Sequence, residues 1–563
     1  MSDKNKLQVV VCWHMHQPEY RDLQTGEFIL PWTYLHVIKD YVDMAAHLEA
    51  VPEAKAVVNF APILLEQIEE YANQVQGFLR NGSAIKDALL AALAAPTVPE
   101  SPEDQLKLVK DCLKANRERQ VNRYPAFQKL VEMTEWLERH YGALAYVNPQ
   151  FIQDILVWYH LAWMGESVKL SDSRIQFLIA KGGTYTQRDR LELVQIIGEL
   201  LENVLQRYKV LAQKGQIELS VTPYAHPIMP LLLDLNSTHE AMPDAPMPEL
   251  ANYPGGEARV RWHIEQGIQT FKRFFGVTPK GCWPSEGSVS EKTLEILGDY
   301  GFTWAASGGS VLSNSLNLPE NDGITGIHHP YQLSGTKTAC FFRDDGLSDL
   351  IGFEYSKWHS DDAVADLLHH LDNIAAHEPS QKVVSIIMDG ENAWEYFPDN
   401  GYHFLRAFYS QLAAHPAIDL TTFSACLKTK NIVKPLSRLV AGSWVYGSFS
   451  TWIGSVDKNR GWDMLGEVKY AFDKALSDKR LTDRQIQLAN LQLAVCEGSD
   501  WFWWFGDYNP GVAVSSFEKQ FRLNLANLYR LLGEEPPAYL ALSFTQGSGD
   551  PAMGGAMRPG VEH

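Results

Sequence analysis

Seven short β-branched or apolar runs punctuate the chain, at Leu7 to Cys12, Ala56 to Phe60, Ile217 to Val221, Lys280 to Trp283, Phe302 to Ala306, Thr338 to Phe342 and Val383 to Met388. Most of the intervals between them carry helical periodicity. Strands that alternate with helices in this way form a parallel sheet covered on both faces. Seven units predict an α/β fold, an incomplete (β/α)7 TIM-like barrel one unit short of the usual eight. The interval between the second and third strands is too long for one crossover helix. Its Leu/Ala runs and charged faces over about 82–215 predict a helical insertion built onto the barrel. Beyond residue 401 the strand signals stop, and the helical patterns at 467–476, 483–495 and 517–532 predict a C-terminal α-helical domain over 401–545 that contributes to the active site. The expected organisation is a catalytic barrel over 1–400, that helical domain, and a flexible tail over 546–563, where apolar content is too low to pack.

Charge and cysteine usage narrow the partners. The 563 residues exceed what one hydrophobic core spans. The formal charge of −19, from 49 basic against 68 acidic residues, disfavours nucleic acid and anionic membrane. Cys12, Cys112, Cys282, Cys340, Cys426 and Cys496 lack CxxC spacing and read as buried thiols of a reducing compartment. The N-terminus enters a strand with no apolar signal segment, so the expected location is cytoplasmic. Nothing in the sequence sets the oligomeric state.

Chemistry concentrates at strand ends. Glu286 closes Pro279-Lys-Gly-Cys-Trp-Pro-Ser-Glu286, and Asp389 closes the run Val383 to Met388. Loops at the C-terminal ends of barrel strands are where such folds place reacting groups. Two carboxyl groups there suit glycoside cleavage, one attacking or stabilising an oxocarbenium-like centre while the other protonates the leaving oxygen. Taken singly, a strand-end acid is more often a helix cap or a surface charge. Trp283 and Trp394 beside the two acids read as flat surfaces for sugar faces. His14 and His16 share one side of the first strand, and His226 ends the third. An HxH pair also suits two metal ligands, with His226 or Asp389 as a third. No HxxxH or CxxC pattern backs that reading, so no metal and no cofactor is expected. The aromatic stretch Gly498 to Asp507 reads mostly as core, with Trp501 and Trp504 sharing a buried face.

His16-Gln17-Pro18, Thr222 to Pro227, Gly281-Cys-Trp283-Pro-Ser-Glu286, Met388-Asp389-Gly-Glu391-Asn-Ala-Trp394 and Trp452 to Trp462 together resemble the five ordered sequence regions of glycoside hydrolase family 57. The resemblance spans residues 16 to 462. It implies a retaining enzyme acting on α-glucans such as glycogen, starch or maltooligosaccharides, with Glu286 as nucleophile and Asp389 as general acid/base. Within the family the chain looks most like the α-amylase and amylopullulanase branch, cleaving α-1,4 and possibly α-1,6 bonds. A 4-α-glucanotransferase or a branching enzyme is the alternative inside the family, and a non-catalytic glucan-binding protein the alternative outside it. The expected substrate contacts are His14, His16, Gln17, His226, Trp283, Arg261, Arg343, Glu391 and Trp394, with Trp452, Asp457, Asn459 and Trp462 on the acceptor side. Arg259, Arg261 and Arg343 are candidates for orienting Glu286.

Overall fold

A computed structural model describes residues 6–317, 326–377, 382–548 and 557. All seven expected strands are present: β1 (Leu7–Met15), β2 (Ala56–Phe60), β3 (Ile217–Val221), β4 (Gly281–Cys282), β5 (Trp304–Ser307), β7 (Ala339–Phe342) and β8 (Val383–Asp389). Three short strands join them: β6 (Tyr331–Leu333), β9 (Ile418–Thr421) and β10 (Lys434–Leu436). The strand-free stretch expected beyond residue 401 therefore begins only after Leu436. The sheet runs β10-β6-β7-β5-β4-β3-β2-β1-β8, with β9 on β1, and every pairing is parallel except β6 with β7. The sheet curls until the C-terminal end of β7 meets β8: Asp344 N–H donates to the Ser385 carbonyl at 2.8 Å, and Arg343 Nε to that of Ile387 at 2.8 Å. This is the incomplete seven-stranded barrel, closed across β7 and β8 by loop contacts instead of a strand ladder.

Alternation along each strand sorts side chains between two cores. Val10 and Cys12 point into the barrel with Val57, Trp283, Trp304, Phe341 and Ile387. Val9, Val11 and Trp13 face the surrounding helices. The same period of two carries the inward face on to His14, Asn59 and Asp389, one step beyond the apolar filling. Register puts these three abreast, His14 opposite Asn59 on one side and Asp389 on the other.

The stretch between β2 and β3 is helical, from Pro62–Asn81 to the 27-residue helix Gln187–Gln213, which opens with a Thr186–Asp189 capping box. After Leu436 come the helices Val456–Ser477, Asp483–Cys496, Ser499–Trp504 and Gly511–Leu531. Buried Glu497, at the end of the second, takes Arg259 Nη2 at 2.8 Å, His263 Nε2 at 2.8 Å and the Tyr253 hydroxyl at 2.6 Å, all from in or beside the helix Gly256–Phe275. Burial opposes the Glu497 charge, but Arg259 and His263 overcome it and hold the group down to about 2. The clamp fixes the residues that follow. A Cβ at Gly498 would lie 3.0 Å from the Ala225 carbonyl, so the chain crosses β3's loop closely, and Ser499 N–H donates to the His226 carbonyl at 2.8 Å. Of the expected tail over 546–563, residues 549–556 and 558–563 lie outside the described residues. Ser548 N–H bonds to the Asp507 carbonyl at 3.0 Å. All six cysteines are buried and free, and no described helix is long and apolar enough to cross a membrane.

Candidate active site

Three imidazoles stack at the top of β1 and β3. Ring centroids lie 5.5 Å apart for His14 and His16, 5.1 Å for His14 and His226, and 3.8 Å for His16 and His226. His14 Nδ1 meets Asn59 Oδ1 at 2.7 Å, and its Nε2 meets His226 Nε2 at 3.1 Å. His226 Nδ1 reaches Ser499 Oγ at 2.8 Å, and His16 Nε2 reaches Asp500 Oδ1 at 2.8 Å. Burial, then the neighbouring His16, pushes His14 down to about 3 and His226 well below the usual histidine range, so both rings are neutral at physiological pH. Ligand atoms of His14, His16 and His226 lie within 4.8 Å of one another, as do those of His226, Glu286 and Asp500. Either trio has the spacing to hold a metal ion, although both ring nitrogens of His14 and of His226 already bond to partners inside the protein.

Glu286 sits in a tight turn after β4 with φ of 57°, and His226 has φ of 60°. Two non-glycine residues in left-handed backbone beside each other are a local cost that surrounding contacts must hold in place. Those contacts come from the C-terminal part. Trp444 N–H bonds to the Glu286 carbonyl at 3.0 Å, its indole Nε1 donates to Oε2 at 3.0 Å, and Ser499 Oγ donates to Oε1 at 3.2 Å. Burial, reinforced by the Asp500 and Asp389 charges, pushes Glu286 up to about 8. Burial likewise lifts Asp389 to about 6, against Asn392, whose Nδ2 donates to Asp389 Oδ2 at 2.7 Å. With Oδ2 occupied by that donor, a proton on Asp389 resides on Oδ1. Asp389, Arg343, Trp444 and Trp503 line one cavity.

Several expected contacts take other roles. Trp283, Trp394, Trp452 and Trp462 are sealed inside, at most 1% exposed, and offer no face to a sugar. Trp283 packs edge-on against Trp444, Trp394 against Trp13, and Trp462 stacks on Phe502. Arg261 bonds to Glu257 and Asp299 on the outside of its helix, and Arg259 belongs to the Glu497 clamp, so neither orients Glu286. Arg343 is buried on Asp345, Asp349 and the Ile387 carbonyl, its guanidinium 5.7 Å from the Trp444 ring centre, and so bears on Glu286 only through that indole. Gln17 donates to Glu391 Oε1 at 3.2 Å beneath the site, where burial drives Glu391 well above its usual range. Asp457 accepts from Thr545, and Asn459 braces the Gly454 N–H and the Pro246 carbonyl, both as structural ties. In the aromatic stretch Trp501 and Trp503 are the buried pair, and half-buried Trp504 stacks on Phe517.

Asn59, Ser499 and Asp500 are the site residues that sequence reasoning did not single out, whereas the segment Gly442-Ser-Trp444 reads in the sequence as one of the sugar-binding clusters. Asn59 left a signal, a polar side chain inside the apolar run Ala56-Val-Val-Asn-Phe60 that must find buried partners. Ser499 and Asp500 were masked by the tryptophans around them.

The Glycosyl hydrolase family 57 model matches residues 10–435. Among solved structures, a GH57-type branching enzyme from Pyrococcus horikoshii superposes with a TM-score of 0.57 at 15% identity, covering 96% of this chain and 92% of its own. An α-amylase from Thermotoga maritima gives 0.55 at 13% identity, with 97% and 95% covered. A 4-α-glucanotransferase from Thermococcus litoralis gives 0.51 at 14%, with 93% and 60% covered. No curated protein sequence matches the chain.

Proposed function

The chain belongs to glycosyl hydrolase family 57, and from that premise we propose that it is a retaining enzyme acting on α-glucans, hydrolysing α-1,4 bonds of glycogen, starch or maltodextrins in the manner of an α-amylase or amylopullulanase. The observation that carries the reading is the pair Glu286 and Asp389: a buried carboxyl just after β4 and a part-buried one at the end of β8, close enough that the Asp389 charge raises Glu286. Glu286, held at both oxygens by Trp444 and Ser499, attacks the anomeric carbon. Asp389 gives its Oδ1 proton to the glycosidic oxygen as that bond breaks, then removes a proton from the water that releases the sugar. This requires one proton shared between the two acids and resident on Asp389. Burial alone favours Glu286 as its holder, so the reactive form is a tautomer of the singly protonated pair. Both tautomers fill the same pH window, which predicts a bell-shaped rate between about 6 and about 8.

Transfer to a sugar hydroxyl instead of water is a second reading. Residues from beyond β10, Trp444, Ser499, Asp500 and Trp503, crowd the acids, which favours exclusion of water. Product analysis on maltoheptaose and on pullulan tests both. Short maltooligosaccharides from maltoheptaose support hydrolysis, products longer than the substrate support transfer, and panose or maltotriose from pullulan marks α-1,4 or α-1,6 cleavage. Absence of any turnover favours a glucan-binding protein.

A further inference from the structure

A single hydroxyl hydrogen decides the direction of a hydrogen-bond chain that reaches from the second strand to Glu286. Thr222 Oγ1 lies 2.8 Å from the Oδ1 position of Asn59 and 2.9 Å from the Trp283 carbonyl oxygen. A carbonyl only accepts, so the one Thr222 hydrogen goes to Trp283. The Asn59 group that faces both Thr222 and His14 is then its NH2, and the amide oxygen turns to Ser220 Oγ, 3.0 Å from the other terminal atom, and takes that hydroxyl's hydrogen. The two ends of an amide are distinguished only by such partners. With this orientation every donor and acceptor is matched, whereas the reverse leaves Trp283's carbonyl facing an oxygen lone pair.

The rest follows from one N–H per neutral imidazole. Asn59 donates to His14 Nδ1, so the His14 hydrogen is on Nε2 and is given to His226 Nε2 at 3.1 Å. The His226 hydrogen is then on Nδ1 and goes to Ser499 Oγ at 2.8 Å, leaving the Ser499 hydrogen for Glu286 Oε1 at 3.2 Å. We propose that Asn59 heads this one-way chain through His14, His226 and Ser499, and that the chain favours the ionised form of Glu286; Asn59 and Thr222 are positioning residues for a carboxylate neither touches. The proposal rests on the reading of Glu286 as nucleophile, and it supplies what that reading needs, a force that moves the shared proton toward Asp389. It acts against the other groups facing Glu286, the Asp389 and Asp500 carboxylates, which favour the protonated acid, and alongside the Trp444 indole, which favours the ionised one. His16, stacked on His226, is tied to Asp500 and stands outside the chain.

Neutron diffraction on deuterium-exchanged crystals of the full chain reads the direction itself. Deuterium on His14 Nε2 and His226 Nδ1 is expected, and deuterium on His14 Nδ1 and His226 Nε2 overturns the proposal. The energetic consequence is read by infrared titration of the Glu286 carboxyl band, identified by its loss in Glu286→Gln. Ser499→Ala removes the last donor, so the Glu286 midpoint and the pH profile of kcat/KM move upward by about half a unit or more. An unchanged or lowered midpoint overturns the chain, because a reversed chain has Ser499 accepting from protonated Glu286. Activity surviving in Glu286→Gln would remove the nucleophile assignment instead, and the deuterium positions would still decide the direction.

Discussion

The surroundings of the two acids differ in origin. Asp389 is managed locally: it ends a seven-residue strand, and its hydrogen-bond donor, Asn392, lies three residues on. Glu286 is managed from afar, with partners 158 and 213 residues away and a left-handed backbone that those partners hold. The contrast teaches that the Asp389 corner is specified by one short stretch of chain, whereas the Glu286 corner takes its hydrogen-bond donors from the C-terminal part. Substitutions near Asp389 should therefore act first on that group and substitutions in the docked segment first on Glu286, with the charge coupling between the acids carrying a smaller effect to the other.

The largest effect expected is from Glu286→Gln, with kcat falling at least about 1,000-fold while maltodextrin binding by calorimetry is kept. Activity within tenfold of the parent would break the comparison at its root. Asp389→Asn should cost about 100- to 10,000-fold on glucans and far less on an aryl glucoside whose leaving group needs no proton. Equal losses on both substrates would contradict its role as the acid.

Smaller effects sharpen the contrast. Asn392→Ala deletes one hydrogen bond to Asp389 and reaches Glu286 only through the charge coupling of the two acids, so the Glu286 infrared midpoint should move less than in Ser499→Ala. A shift as large as that of Ser499→Ala would break the contrast between the two corners. Glu286 also links stability to pH. Its folded value near 8 exceeds the ordinary 4.5, so the folded chain keeps a proton that the unfolded chain releases, and this contribution to stability is lost as pH rises through that window. Glu286→Gln removes the slope, so its melting temperature should gain on the parent's from pH 5 to pH 8. A constant difference across that range would contradict the burial argument. The smallest effect expected is none: dialysis against a strong chelator should leave kcat unchanged. Loss restored by zinc would make the imidazole trio a metal site.

The same division explains what the sequence disclosed. The seven barrel strands and both acids follow from apolar runs and their ends, because burial on both faces leaves an uninterrupted apolar signature. β9 and β10 do not: Ile418-Asp-Leu-Thr421 is four residues long, and Lys434-Pro-Leu436 carries a proline that only an edge position tolerates. Trp283 and Trp394 were misleading because a tryptophan beside an acid looks alike in sequence whether it faces a ligand or a core. Here Trp283 fills the barrel and Trp394 packs among Trp13, Phe397 and Phe404. Ser499 and Asp500 reach the site through the Glu497 clamp and the close crossing at Gly498, and Trp444 through the bridge between Gly442 and Val289, long-range contacts that no local pattern encodes.

The central claim, that Glu286 attacks and Asp389 delivers the proton, is tested most directly by trapping the intermediate. Treating the protein with a fluorinated α-glucosyl fluoride, whose glycosyl-enzyme forms faster than it hydrolyses, and mapping the adduct by peptide mass spectrometry should place one sugar on Glu286, with early glucan products appearing as α-anomers by proton NMR. An adduct on another residue, or β-anomers with no adduct at all, would contradict the account.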